Sequence, residues 1–118
     1  VWFDLEDSCQ AKLSKTTIAN ILNAAQEVVE SRGYIFGVYT GMSYFKEHID
    51  KSAVKNTNWW IARYASSSEI NISNQPNNKY NPESSLGLDL VAWQYTEKGK
   101  INGVNTDVDI NIQFIKSI

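Results

Sequence analysis

Cysteine and histidine are almost absent: Cys9 and His48 stand alone in a chain of 118 residues. A single cysteine excludes an internal disulfide and leaves the redox compartment unread from sulfur usage. With one histidine beside it, the chain also lacks the ligands of an ordinary His/Cys zinc site. An excess of one charge is missing too. Eleven Lys and Arg face thirteen Asp and Glu, a net charge of −2, so there is no basic footprint for nucleic acid. No apolar run approaches the roughly 20 residues that span a bilayer, and no signal peptide opens the chain. The first residue, Val1, already reads as part of a strand, so residues are expected to have preceded it. The composition is that of a globular domain, 42% hydrophobic and 20% charged, and its length suits one domain with a core of its own.

The chain is organised around its opening stretch, Val1-Trp2-Phe3-Asp4-Leu5-Glu6-Asp7. This is an extended apolar run with Asp4 and Glu6 set one residue apart. Strand side chains alternate between faces, so the two carboxylates point the same way, their Cα atoms about 6.6 Å apart. Like charges on one face oppose each other's ionisation, and aromatic neighbours that exclude water add to the effect. One of the pair is then able to keep its proton near neutral pH, as a general acid must. The plainer reading is that Asp4, Glu6 and Asp7 are only the polar end of a strand, and spacing alone does not choose between the two.

Ser14 then stands as a helix N-cap before Ile18, Ile21, Leu22, Ala25, Val28 and Val29, which recur near the helical period, and Gly33 supplies the C-terminal stop. Residues 34–40 read as a buried strand ended by Gly41, residues 43–49 as a short helix, and residues 59–65 as the next strand. Residues 66–85, dominated by Ser, Asn and Pro, read as a long loop. Residues 88–96 return to strand, 97–100 turn, 101–103 extend briefly, and 108–112 with Phe114 form the last strand. Strands alternating with helices imply an α/β fold with mainly parallel strands and covering helices. In such sheets chemistry gathers at the carboxyl ends of the strands. Asp4 and Glu6, Tyr39 and Thr40, Arg63 and Tyr64, and Gln94 and Tyr95 all fall at such ends. No repeat or linker divides the chain.

The series Phe3-Asp4-Leu5-Glu6-Asp7, Gly37-Val38-Tyr39-Thr40, Trp60-Ile61-Ala62-Arg63-Tyr64, Trp93-Gln94-Tyr95 and Asp107-Val108-Asp109-Ile110-Asn111 closely resembles the family 25 glycoside hydrolases, the Chalaropsis-type lysozymes of bacteria and phage endolysins. The resemblance implies an N-acetylmuramidase that hydrolyses the β-1,4 bond between N-acetylmuramic acid and N-acetylglucosamine in bacterial peptidoglycan, without a metal or organic cofactor. It implies a modified β/α, TIM-like barrel, and a protein that is secreted, held at the cell wall, or phage-encoded and released at lysis. By the family's pattern Glu6 resembles the proton donor. Asp4 resembles the group that stabilises the oxocarbenium-like transition state or holds the 2-acetamido group when that group is the internal nucleophile. Asp109 resembles the acidic residue near the last strand, ahead of Asp107. Tyr39, Tyr64 and Gln94, with Trp93 and Arg63, look like groups that line the cleft and contact sugar.

These assignments have rivals. Trp59, Trp60 and Trp93 are more often core or wall than sugar platforms, and Arg63 equally suits a structural ion pair. His48 suits a solvated place on its short helix, and Cys9 that of a small buried hydrophobe. The chain starts at what resembles the family's middle strand, so the early strands, and the family's first active-site Asp, are not in it. A closed β/α barrel takes on the order of 200 to 250 residues, and residues 1–118 therefore resemble the C-terminal half of a catalytic domain. A half-barrel exposes an unpaired strand edge and an apolar face, so the chain is expected to pair with another copy of itself or with a missing N-terminal segment. Two other functions fit parts of the sequence. One is a non-catalytic fragment that binds cell wall without the complete active site. The other is a hydrolase using Asp4, Glu6, Asp7 and Asp109 as oxygen ligands for Mg²⁺ or Ca²⁺.

Overall fold

The structure, a computed structural model, describes residues 1–65, 70–71 and 76–114. Six strands form one sheet: β1 Trp2–Asp4, β2 Gly37–Gly41, β3 Trp59–Ala62, β4 Ile70–Asn71, β5 Ala92–Lys100 and β6 Val108–Gln113. The helices are α1 Ser8–Ala11, α2 Lys15–Ser31, α3 Met42–His48 and α4 Glu83–Leu86, with a 3₁₀ turn over Asn78–Tyr80. β1, β2, β3 and β5 run parallel in that spatial order, β4 lies parallel along the far end of β5, and β6 is antiparallel to β5. The expected mainly parallel α/β fold is therefore present. Among the described residues the sheet is open, with β2 as the only partner of β1.

Helix α2 starts where its cap chemistry starts it. The Ser14 hydroxyl accepts from the Thr17 amide at 3.1 Å, a cap contributing about 1 kcal/mol. Its buried residues, Ile18, Ala19 and Leu22, enter one apolar cluster with Leu5, Phe36, Val38, Trp59, Ile61 and Trp93. Alternation along each strand then divides the sheet into two faces. Val38 and Thr40, Trp59 and Ile61 turn into this core. By register, Trp2, Asp4, Tyr39, Trp60, Ala62, Gln94 and Asn111 share the opposite face. At the end of β1 the buried Thr40 hydroxyl donates to the Leu5 carbonyl at 2.6 Å and the Leu5 amide donates to the Tyr39 carbonyl at 2.9 Å. These bonds hold the chain flat against β2 up to the residue before Glu6.

Several element bounds differ from the expected ones. The second strand begins at Gly37, and Tyr34 and Ile35 are exposed rather than buried, Ile35 to 77%. Ahead of β2 this segment is met by Val1, whose amino group donates to the Ile35 carbonyl at 2.6 Å and whose carbonyl accepts from the Gly37 amide at 2.9 Å. Residues 97–100, expected as a turn, continue β5, which is lengthened by register shifts on either side of Thr96 and is paired at its far end by both β4 and β6. Residues 88–91 precede that strand instead of opening it. The expected loop over 66–85 carries β4, the 3₁₀ turn and α4 where it is described, while residues 66–69 and 72–75 lie outside the described residues. Cys9 is exposed, not buried, because it sits on α1, a single turn that contributes no buried residue.

Candidate active site

The carboxyl ends of β1, β2, β3 and β5 form one rim, and the acidic pair stands on it. Leu5 is 2% exposed and turned into the core, which leaves Asp4 and Glu6 on the other side of the chain. The Glu6 carboxyl is raised above the ordinary glutamate range, first by desolvation, then by the like charge of Asp4, by a hydrogen bond with the Asp4 side chain, and by the charge of Asp109. Asp4, Glu6 and Asp109 are thus one electrostatic unit drawn from the two ends of the described sequence. Asp7, three residues beyond Asp4, is not part of it. Its Oδ1 accepts from the Cys9 amide at 2.8 Å, capping α1 and holding the Asp7 carboxyl below its usual range.

Beside the acids is a short aromatic ladder. Trp60 lies edge-on to Tyr39 with centroids 4.7 Å apart and to Trp2 with centroids 5.5 Å apart, geometry that aromatic pairs favour. The Trp60 Nε1–H donates to Asn111 Oδ1 at 2.8 Å, joining β3 to β6 across the strand between them. The Tyr39 hydroxyl donates to Oε1 of the buried Gln94, and burial, followed by the negative charge around it, raises the Tyr39 phenol. Tyr64 is half-exposed, donates to Glu97 Oε2 at 3.2 Å, and is pushed up to about 12 by burial and then by that carboxylate. Both phenols therefore keep their protons at any physiological pH and act as neutral donors.

A hollow of about 610 Å³ opens beside Glu6, bounded by Tyr39, Met42, Lys46, Ala62 and Arg63. Its size is that of a site for a small organic group. A larger hollow, about 720 Å³, lies at the other end of the sheet around Lys51, Asn56, Asn58 and Trp59. Three of its polar groups are spent on the fold: the Asn58 side chain donates to the Phe36 carbonyl, Asn56 and Asn58 bond each other, and Lys51 Nζ donates to the Leu86 and Gly87 carbonyls. Asp89 is the one carboxylate that lines it, whereas the hollow at Glu6 adjoins a group of three acids.

Of the expected site residues, Asp4, Glu6, Asp109, Tyr39, Tyr64 and Arg63 reach this rim, and Gln94 supports it from beneath by holding Tyr39. Trp93 does not reach it. It is 1% exposed on the core face, with its Nε1–H donating to the Arg63 carbonyl at 2.8 Å, because its strand neighbour Gln94 takes the cleft face. Arg63 has no ion pair among the described residues; its guanidinium lies 5.7 Å from the Tyr80 ring centroid, a cation–π distance. His48 is half-buried against the Tyr44 ring, centroids 4.7 Å apart. Trp60 and Asn111 join the site without having been singled out for it. The alternation of the buried Trp59 and Ile61 points to Trp60, whereas Asn111 enters only through the β5–β6 register.

The family model for glycosyl hydrolases family 25 matches residues 1–104. No match was found among curated proteins. Among solved structures the chain is similar to GHIP, a glycosyl hydrolase 25 of Streptococcus pneumoniae described as a novel virulence factor participating in host cell invasion, at 31% identity and a TM-score of 0.64 over 96% of this chain and 44% of that one. It is similar to the catalytic domain of the endolysin ply40 from bacteriophage P40 of Listeria monocytogenes, at 25% identity and a TM-score of 0.57 over 96% of this chain and 48% of that one. It shares the fold of the CTP1L endolysin, at 23% identity and a TM-score of 0.61 over 97% of this chain and 34% of that one. The chain therefore spans less than half the length of each of these structures.

Proposed function

This chain belongs to the glycosyl hydrolases of family 25, and from that premise we propose that it carries the acid–base half of a peptidoglycan N-acetylmuramidase site, acting on the β-1,4 bond between N-acetylmuramic acid and N-acetylglucosamine. The observation that carries the reading is the placing of Glu6 beside the hollow, where desolvation and then the charges of Asp4 and Asp109 favour its protonated form. A carboxyl group of raised pKa is what protonation of a glycosidic oxygen requires. Glu6 gives its proton to the leaving oxygen as the bond lengthens. Asp4, beside it, stabilises the positive charge that develops at the anomeric carbon or orients the substrate's 2-acetamido group for attack. Asp109 keeps negative charge at the same place. Tyr39 and Tyr64, whose hydroxyl protons go to Gln94 and Glu97, accept from sugar hydroxyls or an acetamido N–H, and the exposed parts of Trp60 and Tyr39 take the apolar face of a pyranose. In this reading the sheet is an arc of a β/α barrel, residues 1–118 supply the C-terminal half of the catalytic domain, and the protein works outside the cell or at phage-driven lysis.

Turbidity clearing of purified peptidoglycan tests this. Glu6→Gln is expected to reduce clearing by at least about 10²-fold, the scale of one general-acid contribution, with an unchanged circular dichroism spectrum. Clearing at the wild-type rate by that variant rejects Glu6 as the acid. The chain's coverage of less than half the length of the similar structures favours a second reading, a fragment that holds wall glycan without cutting it. Sedimentation with peptidoglycan in the absence of any clearing is its signature.

A further inference from the structure

The hollow beside Glu6 brings both signs of charge to one place. Glu6 lines it, with Asp4 and Asp109 as the charged groups acting on its carboxyl. So do two cations, Lys46 from α3 and Arg63 from the segment just after β3. Neither has an ion-pair partner among the described residues, and neither is among the charges acting on Glu6. The chain carries net negative charge, so two unpaired cations in one hollow are not a by-product of a basic surface. The Arg63 guanidinium lies over the Tyr80 ring, 5.7 Å from its centroid, whereas Lys46 is exposed on its helix. Tyr39, Met42, Ser43 and Ala62 also line the hollow, a wall of mixed polarity.

A sugar alone offers these cations hydrogen-bond acceptors but no countercharge, since the hydroxyls and acetamido groups of the glycan are neutral. The muramyl sugar of peptidoglycan, however, carries a short peptide on its lactyl ether, and that peptide has free carboxylates. Resting on the muramidase reading above, we propose that Lys46 and Arg63 form a subsite for the carboxylates of the muramyl peptide, so that the chain distinguishes peptide-bearing glycan from bare glycan. Arg63 presents a planar fork suited to a carboxylate. Lys46 contributes as a mobile point charge, and its effect is screened by salt.

The test is a binding titration of the 118-residue chain, followed by NMR, with three soluble probes: a muramyl disaccharide carrying its peptide, the same compound with its peptide carboxylates amidated, and the peptide-free disaccharide. The charged probe is expected to bind about three- to ten-fold tighter than the other two at low salt, the range open to exposed charge pairs, and the advantage is expected to vanish at high salt. Lys46→Gln and Arg63→Gln should each reduce the advantage, and Lys46→Gln should leave the affinity for the peptide-free disaccharide unchanged. Equal binding of charged and amidated probes, or an advantage that survives both substitutions, overturns the subsite and leaves the sugar cleft standing. Absence of binding by all three probes overturns the subsite together with the muramidase reading.

Discussion

Glu6 is a residue whose folded environment favours its proton, and this has a consequence for stability as well as catalysis. Below 4.5, the ordinary value, Glu6 is protonated in folded and unfolded chains alike, and above it the folded chain alone retains the proton because its pKa is raised. The stability that this proton preference contributes is therefore full below the ordinary value and is lost as pH rises through the raised one. Thermal melts across pH are expected to show Glu6→Gln gaining stability relative to wild type as pH rises through that window. A difference between the two proteins that stays constant with pH contradicts the assignment. Activity follows the same group: its basic limb is expected above the ordinary glutamate range, since a general acid is lost when it ionises.

At the scale of elements, the positions that set the cleft are strand registers, and one glycine makes a register possible. A Cβ on Gly37 would run into the Trp2 ring, because Trp2 and Gly37 are paired across β1 and β2. Gly37→Ala is expected to cost about 1–3 kcal/mol, the range for overpacking. Denaturant melts should show most of that cost disappearing when Trp2→Ala is added; an undiminished cost in the double variant contradicts the clash. Much of this scale was legible beforehand. Ser14 and Gly33 bounded α2, and the Asp4–Glu6 spacing placed both acids on one side because β1 is extended. The error at Trp93 had a local remedy, since Trp93 and Gln94 are strand neighbours and alternation allows only one of them the cleft. By contrast, the contact of Trp60 with Asn111 and the length of β5 depend on a bulged antiparallel pairing, which local pattern does not encode. Residues 97–100 looked like a turn for the same reason: Glu97-Lys98-Gly99-Lys100 has turn composition, and only β4 and β6 on either side make it strand.

For the whole molecule, the sheet has an apolar side still facing water. β1 is an unpaired edge among the described residues, and Val1, Trp2 and Ile35 at its start are exposed together with Val28 on α2. Free strand edges next to apolar surface are pairing sites. We propose that this edge is covered in the working protein, by preceding strands of the catalytic domain or, when the chain is alone, by a second copy. Native mass measurement of the isolated chain is expected to give a species larger than its 13.4 kDa; a monodisperse monomer contradicts the proposal.

The claim beneath all of this is that the Glu6 carboxyl is raised above its ordinary range, first by desolvation and then by Asp4 and Asp109 beside it. Carboxyl carbon NMR, following Glu6 through a pH titration in wild type, Asp4→Asn and Asp109→Asn, measures that directly. The expected result is a Glu6 midpoint above 4.5 in the wild type that falls in both variants, further in Asp4→Asn. A wild-type midpoint at or below the ordinary value, or one that neither substitution moves, contradicts it.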